Sequence, residues 1–261
     1  MKNTILQEIQ TELSKIEQAE KVKIIYACES GSRAWGFESE DSDYDVRFIY
    51  IKKTAHYLSI QKQRDVIERP INDELDISGW DITKALSLLK KSNPPLLEWL
   101  QSPIVYRDTG TITSKIRHLM SEYYSPKSCM YHYLHMAQGN FREYLKGDSI
   151  WVKKYFYVLR PVLACIWIES GFGVVPTEFE ILVDKVVKQK ELKEAIDDLI
   201  LQKKAGNELD MGDKIPIISD FINSELQRLS AKNERPAVTD DYKKLDDLFI
   251  EALKEINGMN I

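Results

Sequence analysis

The chain has 261 residues, enough for one large domain or two small ones at roughly 150 residues per domain. Its composition, 43% hydrophobic and 30% charged, excludes wholesale disorder. The balance of 36 basic and 41 acidic residues, net −5, argues against a uniformly basic nucleic-acid coat but leaves room for a local basic cleft.

In chain order, Ile5, Leu6, Ile9, Leu13 and Ile16 recur at helical spacing, so the amino end is expected to be an amphipathic helix rather than a leader. The apolar run Val22 to Cys28, ending before Gly31, predicts a buried strand. Asp43 to Ile51 predicts a second strand and Glu74 to Ser78 a third. Ile82, Ala85, Leu86 and Leu89 mark a helix that Asn93-Pro94-Pro95 stops. A helical turn at Leu96 to Leu100 and an extended Ile104 to Tyr106 follow.

From Thr111 onward the chain reads as helix. Helices are expected near 111–123 and 126–146, the latter capped by Ser125-Pro126. An apolar helix from Trp151 to Ser170 stops at Gly171 and Gly173. Thr177 and Glu180 suit a capping box for the next helix, and two more helices fall near 213–230 and 239–256. The expected fold class is α+β, a small mixed sheet flanked by helices followed by a C-terminal helical bundle. The domains divide as 1–108 and 109–261. Cys28, Cys129 and Cys165 lie far apart, which disfavours a disulfide framework or a cysteine zinc site and suits a reducing cytoplasm. No apolar run approaches bilayer length.

Chemistry concentrates in Glu29-Ser30-Gly31-Ser32-Arg33-Ala34-Trp35-Gly36-Phe37 and in Ser42-Asp43-Tyr44-Asp45-Val46-Arg47. A strand ending in Gly31-Ser32 can turn sharply and offer a hydroxyl and amides to phosphate oxygens. Asp43 and Asp45, two apart on a strand, share a face. Carboxylates so close are costly unless a cation lies between them, and oxygen-only ligands suit Mg²⁺ or Mn²⁺. Arg47 shares that face and offers the competing reading: it neutralises the pair with no metal at all.

This pattern resembles the DNA polymerase beta-like nucleotidyltransferase superfamily, whose members carry a Gly-Ser turn and, about a dozen residues on, two carboxylates separated by one residue. Gly31-Ser32 and Asp43-Tyr44-Asp45 match it. The fuller run Gly31 to Gly36 with Ser42 to Arg47 resembles the bacterial and phage RNA-repair-pathway branch. So do Ser92-Asn93-Pro94-Pro95 through Glu98-Trp99, Ser102 to Tyr106, and Lys154 to Pro161. The resemblance covers roughly residues 22–170.

It implies two divalent ions, Mg²⁺ or Mn²⁺, and transfer of a nucleoside monophosphate from a nucleoside triphosphate to a hydroxyl. It also implies a third carboxylate. Asp76 is the choice, with Glu74 as fallback, while Asp81 suits a helix cap. Arg33 can reach the triphosphate or the acceptor, or stand as a solvated loop charge. Glu29 suits a brace that accepts amide hydrogen bonds. Lys153, Tyr157 and Arg160 fall on one helical face that can contact phosphates, and Lys154 fits the branch pattern better than Lys153. His132 and His135 read as an aromatic patch, Asn93 as a helix stop, and Asn140 and Arg142 carry no distinct argument. Lys90, Lys91, Lys127, Lys153 and Lys154 are expected along one side of a cleft. The acceptor is open: an RNA end, a protein hydroxyl or a small molecule such as an aminoglycoside. The alternative reading is a non-catalytic nucleotide-binding or regulatory partner, such as one half of a toxin–antitoxin pair.

Overall fold

Helix α1 (Asn3–Glu20) buries Ile5, Ile9, Leu13 and Ile16 on one face, as their spacing predicts, while Leu6 stays exposed. The computed structural model describes residues 3–61, 63–69, 74–147, 149–206, 211–231 and 241–258. The α1 face covers one side of a five-stranded mixed sheet. Its strands are β1 (Val22–Glu29), β2 (Tyr44–Lys52), β3 (Val66–Glu68), β4 (Leu75–Asp81) and β5 (Val105–Asp108), in the order β3-β4-β2-β1-β5. β2 and β4 run parallel and the other pairs antiparallel. Strand β3 escaped the sequence reading because three residues are too short to show a period.

The two faces of the sheet serve two cores. Val46, Phe48, Tyr50, Leu75 and Ile77 pack with α1. Cys28, Ile49 and Ile51 pack toward the helical half. A bulge between Ile24 and Tyr26 lets Ile25 and Tyr26 both join the second core. By alternation, Asp45, Arg47 and Asp76 lie on this second face, toward the helices.

Short helices connect the strands: α2 (Gly31–Trp35), α3 (Thr54–Tyr57), α4 (Ile82–Lys90) and α5 (Pro94–Leu100). Asp81 caps α4 by accepting from Thr83 N–H at 2.9 Å, and Asn93 caps α5 through Leu96 N–H at 3.3 Å. The helical half holds α6 (Thr111–Tyr123), α7 (Pro126–Asn140), a π-helical turn at Phe141–Leu145, β6 (Ser149–Trp151), a 3-10 turn at Val152–Lys154 and α8 (Tyr155–Glu169). After these come α9 (Phe179–Val186), α10 (Lys190–Lys204), β7 (Met211–Asp213), α11 (Pro216–Ser230) and α12 (Lys243–Asn257). Ser125 caps α7 as expected, accepting from Ser128 N–H at 3.3 Å. Helix α8 is buried almost all round, and one apolar core runs from the sheet through α8 to Leu253 of α12.

Two expectations need correction. The helix expected from Trp151 begins at Tyr155, because Ser149–Trp151 pairs with Met211–Asp213 as a small ribbon. Thr177 does not cap α9: Glu178 holds that position, and the Thr177 hydroxyl donates to the Glu98 carbonyl at 3.1 Å. Helix α10 adds a further helix to those expected singly after Thr111. Residues 239 and 240 of the last expected helix lie outside the described residues. Among the described residues no helix is long and apolar enough to cross a membrane.

Candidate functional site

The site begins where β1 ends. Ser30 N–H donates to the Asp45 carbonyl at 2.9 Å, tying the turn to β2. Gly31 then adopts φ +57°, and a Cβ on it would lie 2.0 Å from Asp45 Oδ2. Glycine is required here both by backbone conformation and by this close approach. Ser32 sits half-buried in the first turn of α2, beside the same carboxylate strand.

The parallel register places Asp45 opposite Asp76. Arg47 lies between their carboxylates: its Nη2 donates to Asp45 Oδ1 at 2.9 Å and to Asp76 Oδ2 at 2.6 Å. Its Nη1 donates to the Asp76 carbonyl at 3.1 Å. Asp43 stands just before β2. Burial raises the Asp45 carboxyl above its ordinary pKa, Arg47 pulls it down, and the charges of Asp76 and Asp43 push it up again. The three acids expected from the sequence therefore share one electrostatic neighbourhood.

Their donor set fits a hard divalent cation, being oxygen-only and of like charge beside a glycine cradle. It is not already a cage: among the described residues no group of three or more His, Cys, Asp and Glu is assembled to hold a metal. Arg47 takes one oxygen of Asp45 and one of Asp76, so the neutralising arginine foreseen from the sequence is present. Asp43 and the remaining oxygens are what an ion would use.

Glu29 braces this arrangement. It is fully buried, Asp45 N–H donates to its Oε1 at 2.7 Å, and the Tyr106 hydroxyl donates to its Oε2. The Ser102 hydroxyl donates to its carbonyl at 2.7 Å. Burial pushes the Glu29 carboxyl up to about 7, against the pull of the Tyr106 and Asp45 hydrogen bonds.

The other expected residues divide. Arg33 is a brace: its Nη2 donates to the Ser42 carbonyl at 2.6 Å, its Nε to the Asp43 carbonyl at 3.2 Å, and its guanidinium lies 3.7 Å from the Tyr44 ring centroid. Tyr157 is 45% exposed as a residue, while burial of its hydroxyl raises that group, helped by the charges of Asp45 and Asp43. Lys154 Nζ sits 4.4 Å from the Tyr157 ring centroid. Lys153 and Lys154 occupy the 3-10 turn before α8, so the single helical face drawn through Lys153, Tyr157 and Arg160 does not form.

Arg160 departs furthest from expectation. It is 1% exposed, with Nη2 donating to the carbonyls of Pro176 and Thr177 at 3.0 Å each and Nη1 3.2 Å from Glu98 Oε1. Glu98 also accepts from the Tyr133 hydroxyl at 3.0 Å and from Trp35 Nε1 at 3.2 Å. Arg160 thus holds Glu98, and Glu98 holds the last residue of α2. The Arg160 Nε is buried without a hydrogen-bond partner among the described residues.

Asp81 is a cap and also accepts from the Tyr57 hydroxyl at 2.9 Å. Glu74 precedes β4, and its carbonyl accepts from Tyr44 N–H at 2.8 Å. His135 Nδ1 donates to the Tyr131 carbonyl, 2.7 Å away, and both His132 and His135 pack on the Tyr131 ring. Asn140 donates to the Tyr157 carbonyl at 2.9 Å, and Arg142 to that of Gln138 at 3.3 Å. The basic row is not continuous, because Lys90 Nζ sits 3.3 Å from the Tyr242 ring centroid, beside α12.

A hollow of about 930 Å³ opens beside Asp43, bordered by Arg33, Tyr44, Glu74 and Lys204. A second, of about 310 Å³, lies between α2 and α10 with Trp35, Phe37, Phe179 and Ile200 in its wall. Lys204 borders both. Sequence reasoning missed the end of α10 altogether, since only a long-range contact brings Lys203 and Lys204 here.

Residues 5–251 match the family described as RlaP, RNA repair pathway DNA polymerase beta family. Protein YcgL of Bacillus subtilis (strain 168), described as uncharacterized, is 48% identical over 252 residues, covering 96% of this chain and 97% of the relative. A solved nucleotidyltransferase-like protein from Exiguobacterium sibiricum 255-15 aligns over 96% of this chain and 90% of its own, with 11% identity and a TM-score of 0.35.

Proposed function

We propose that this chain, which belongs to the RNA repair pathway DNA polymerase beta family, is a metal-dependent nucleotidyltransferase of the cytoplasm. Its donor is a nucleoside triphosphate and its acceptor the hydroxyl of an RNA end. The observation that carries this reading is the in-register pairing of Asp45 with Asp76, beside Asp43 and against the Gly31 turn.

Asp43 and Asp45 hold Mg²⁺ or Mn²⁺, with Asp76 as the third ligand. Ions held there would supply charge neutralisation for the transfer. Gly31 and Ser32 orient the triphosphate, and Tyr157 and Lys154 border it. The acceptor hydroxyl forms a bond to the α-phosphorus, the bridge to the β-phosphate breaks, and pyrophosphate leaves. Asp76 Oδ1, the oxygen that Arg47 does not engage, receives the hydroxyl proton. Arg47 keeps Asp45 and Asp76 aligned through the step, and most of the rate comes from positioning and charge.

The test is incubation with each labelled ribo- and deoxyribonucleoside triphosphate, Mg²⁺ or Mn²⁺ and total cellular extract. Label is expected in ribonuclease-sensitive material, with Asp43→Asn inactive and folded. Label on protein or on a small molecule would refute the RNA acceptor. Transfer retained by Asp43→Asn would refute the site. The Arg47 guanidinium between two carboxylates favours a second reading, a non-catalytic nucleotide-binding partner such as one half of a toxin–antitoxin pair. Tight nucleotide binding with no pyrophosphate release across a wide acceptor panel would select it.

A further inference from the structure

The end of α10 reaches the carboxylate site from far along the chain. Lys203 Nζ lies 3.2 Å from Ser39 Oγ, 164 residues away in sequence, in the segment that leads from α2 into Asp43. The side chain is half-buried. Among the described residues it makes no ion pair within 4 Å. Two kinds of charge surround it. Asp43 and Asp41 are near enough to favour its protonated form, while burial and the Lys153 ammonium disfavour it, and the second pair prevails.

Lys153 comes from a different element, the 3-10 turn before α8, and it too lacks an ion pair among the described residues. Lys153 is near enough to disfavour the Lys203 charge, while Ser39, which Lys203 touches, lines the hollow beside Asp43. Left alone, such a pair costs the fold free energy through like-charge repulsion and lost solvation. A ligand carrying several negative charges would relieve both costs. The neighbouring Lys204 borders the hollow beside Asp43 as well as the aromatic one, so this turn of α10 stands at the junction of the two.

We infer that Lys203, acting with Lys153, grips the polyphosphate of the bound nucleoside triphosphate and holds it from the helical half toward the Gly31–Ser32 turn. The inference rests on the nucleotidyltransferase reading and names a residue that reading does not use. A lysine suits the role, being a compact point charge on a flexible stem with three donors. The Lys203 ammonium donates to Ser39 Oγ at 3.2 Å.

The test is calorimetric titration of the full-length chain with ATP, GTP, CTP and UTP, and with the matching monophosphates, in Mg²⁺. Wild type, Lys203→Gln, Lys203→Arg and Ser39→Ala are compared. Loss of one charge-assisted contact predicts triphosphate binding about tenfold weaker in Lys203→Gln. Monophosphate binding stays within about twofold, because the polyphosphate carries the contact. Lys203→Arg recovers most of the loss, and Ser39→Ala binds as wild type does. The melting temperature of ligand-free Lys203→Gln is unchanged or higher, since a repulsive pair is gone. Equal triphosphate affinity in wild type and Lys203→Gln overturns this inference and leaves the nucleotidyltransferase reading standing. A lower melting temperature with equal losses for tri- and monophosphates also overturns it, by making Lys203 a structural tie to Ser39. Wild type that binds no triphosphate removes both readings.

Discussion

Two glycines bracket α2, and replacing each by alanine separates backbone strain from the site's own geometry. Gly36 has φ +90° and open space around its missing side chain, so Gly36→Ala carries only the left-handed backbone cost of about 1–2 kcal/mol. Gly31 has φ +57° and pays a similar cost, but its new Cβ would also meet Asp45 Oδ2 at 2.0 Å and Asp45 Cγ at 2.9 Å. No atoms can share that space. The Asp45 side chain must rotate off its position, an off-rotamer cost of about 1 kcal/mol. It also gives up the 2.9 Å contact to Arg47, which at 29% side-chain exposure for Asp45 contributes about 1 kcal/mol after allowance for solvent screening. Gly31→Ala should therefore be about 2 kcal/mol less stable than Gly36→Ala in urea denaturation. It should also lose Mg²⁺-dependent label transfer, while Gly36→Ala keeps it. Equal stability losses for the two variants, or transfer intact in Gly31→Ala, would show that Gly31 serves the turn alone and not the carboxylate.

Glu29 makes stability depend on pH. Its carboxyl moves from 4.5 in the unfolded chain to about 7 in the fold. Between those values the folded state holds the extra proton, so this residue's contribution is fully present below pH 4.5 and is lost as pH rises through 7. At about 1.4 kcal/mol per pH unit the loss is about 3 kcal/mol. In metal-free buffer Glu29→Gln should gain on wild type by that order between pH 4.5 and 8, read by urea titration, and a pH-independent difference would contradict the burial argument. Arg160→Met breaks a buried pair with Glu98 and should cost about 3–5 kcal/mol, with Arg160→Lys a poor substitute. Full stability together with lost nucleotide binding would return Arg160 to the phosphate site.

The Glu98–Arg160 pair also explains how the helical half controls the turn. Trp35 ends α2, and its indole is held by Glu98, which Arg160 and Tyr133 hold in turn. The Phe37 ring stacks on Phe156 with centroids 4.3 Å apart, so the segment after α2 rests on α8. The Gly31–Ser32 turn is thus carried by β1 on one side and by the α5–α7–α8 packing on the other. Glu98 and Arg160, which lie in two of the motifs that resemble the family, meet the turn through this packing.

Local chemistry made much of the molecule legible. The period of Ile5, Ile9, Leu13 and Ile16 specifies α1, and the caps at Asp81, Asn93 and Ser125 are chemical statements about neighbours in the chain. The Gly31-Ser32 turn and the Asp43-x-Asp45 spacing are equally local, so they point to the carboxylate face without coordinates. What needed the tertiary structure depends on which strands and helices meet. Register in the parallel β2–β4 pair sets Asp76 beside Asp45, and packing buries Arg160 beside Glu98. A contact across 164 residues brings Lys203 to Ser39. Sequence patterns report which side of a helix or strand is apolar. They carry no record of which partner covers that side, and a charged side chain's role is decided by the partner.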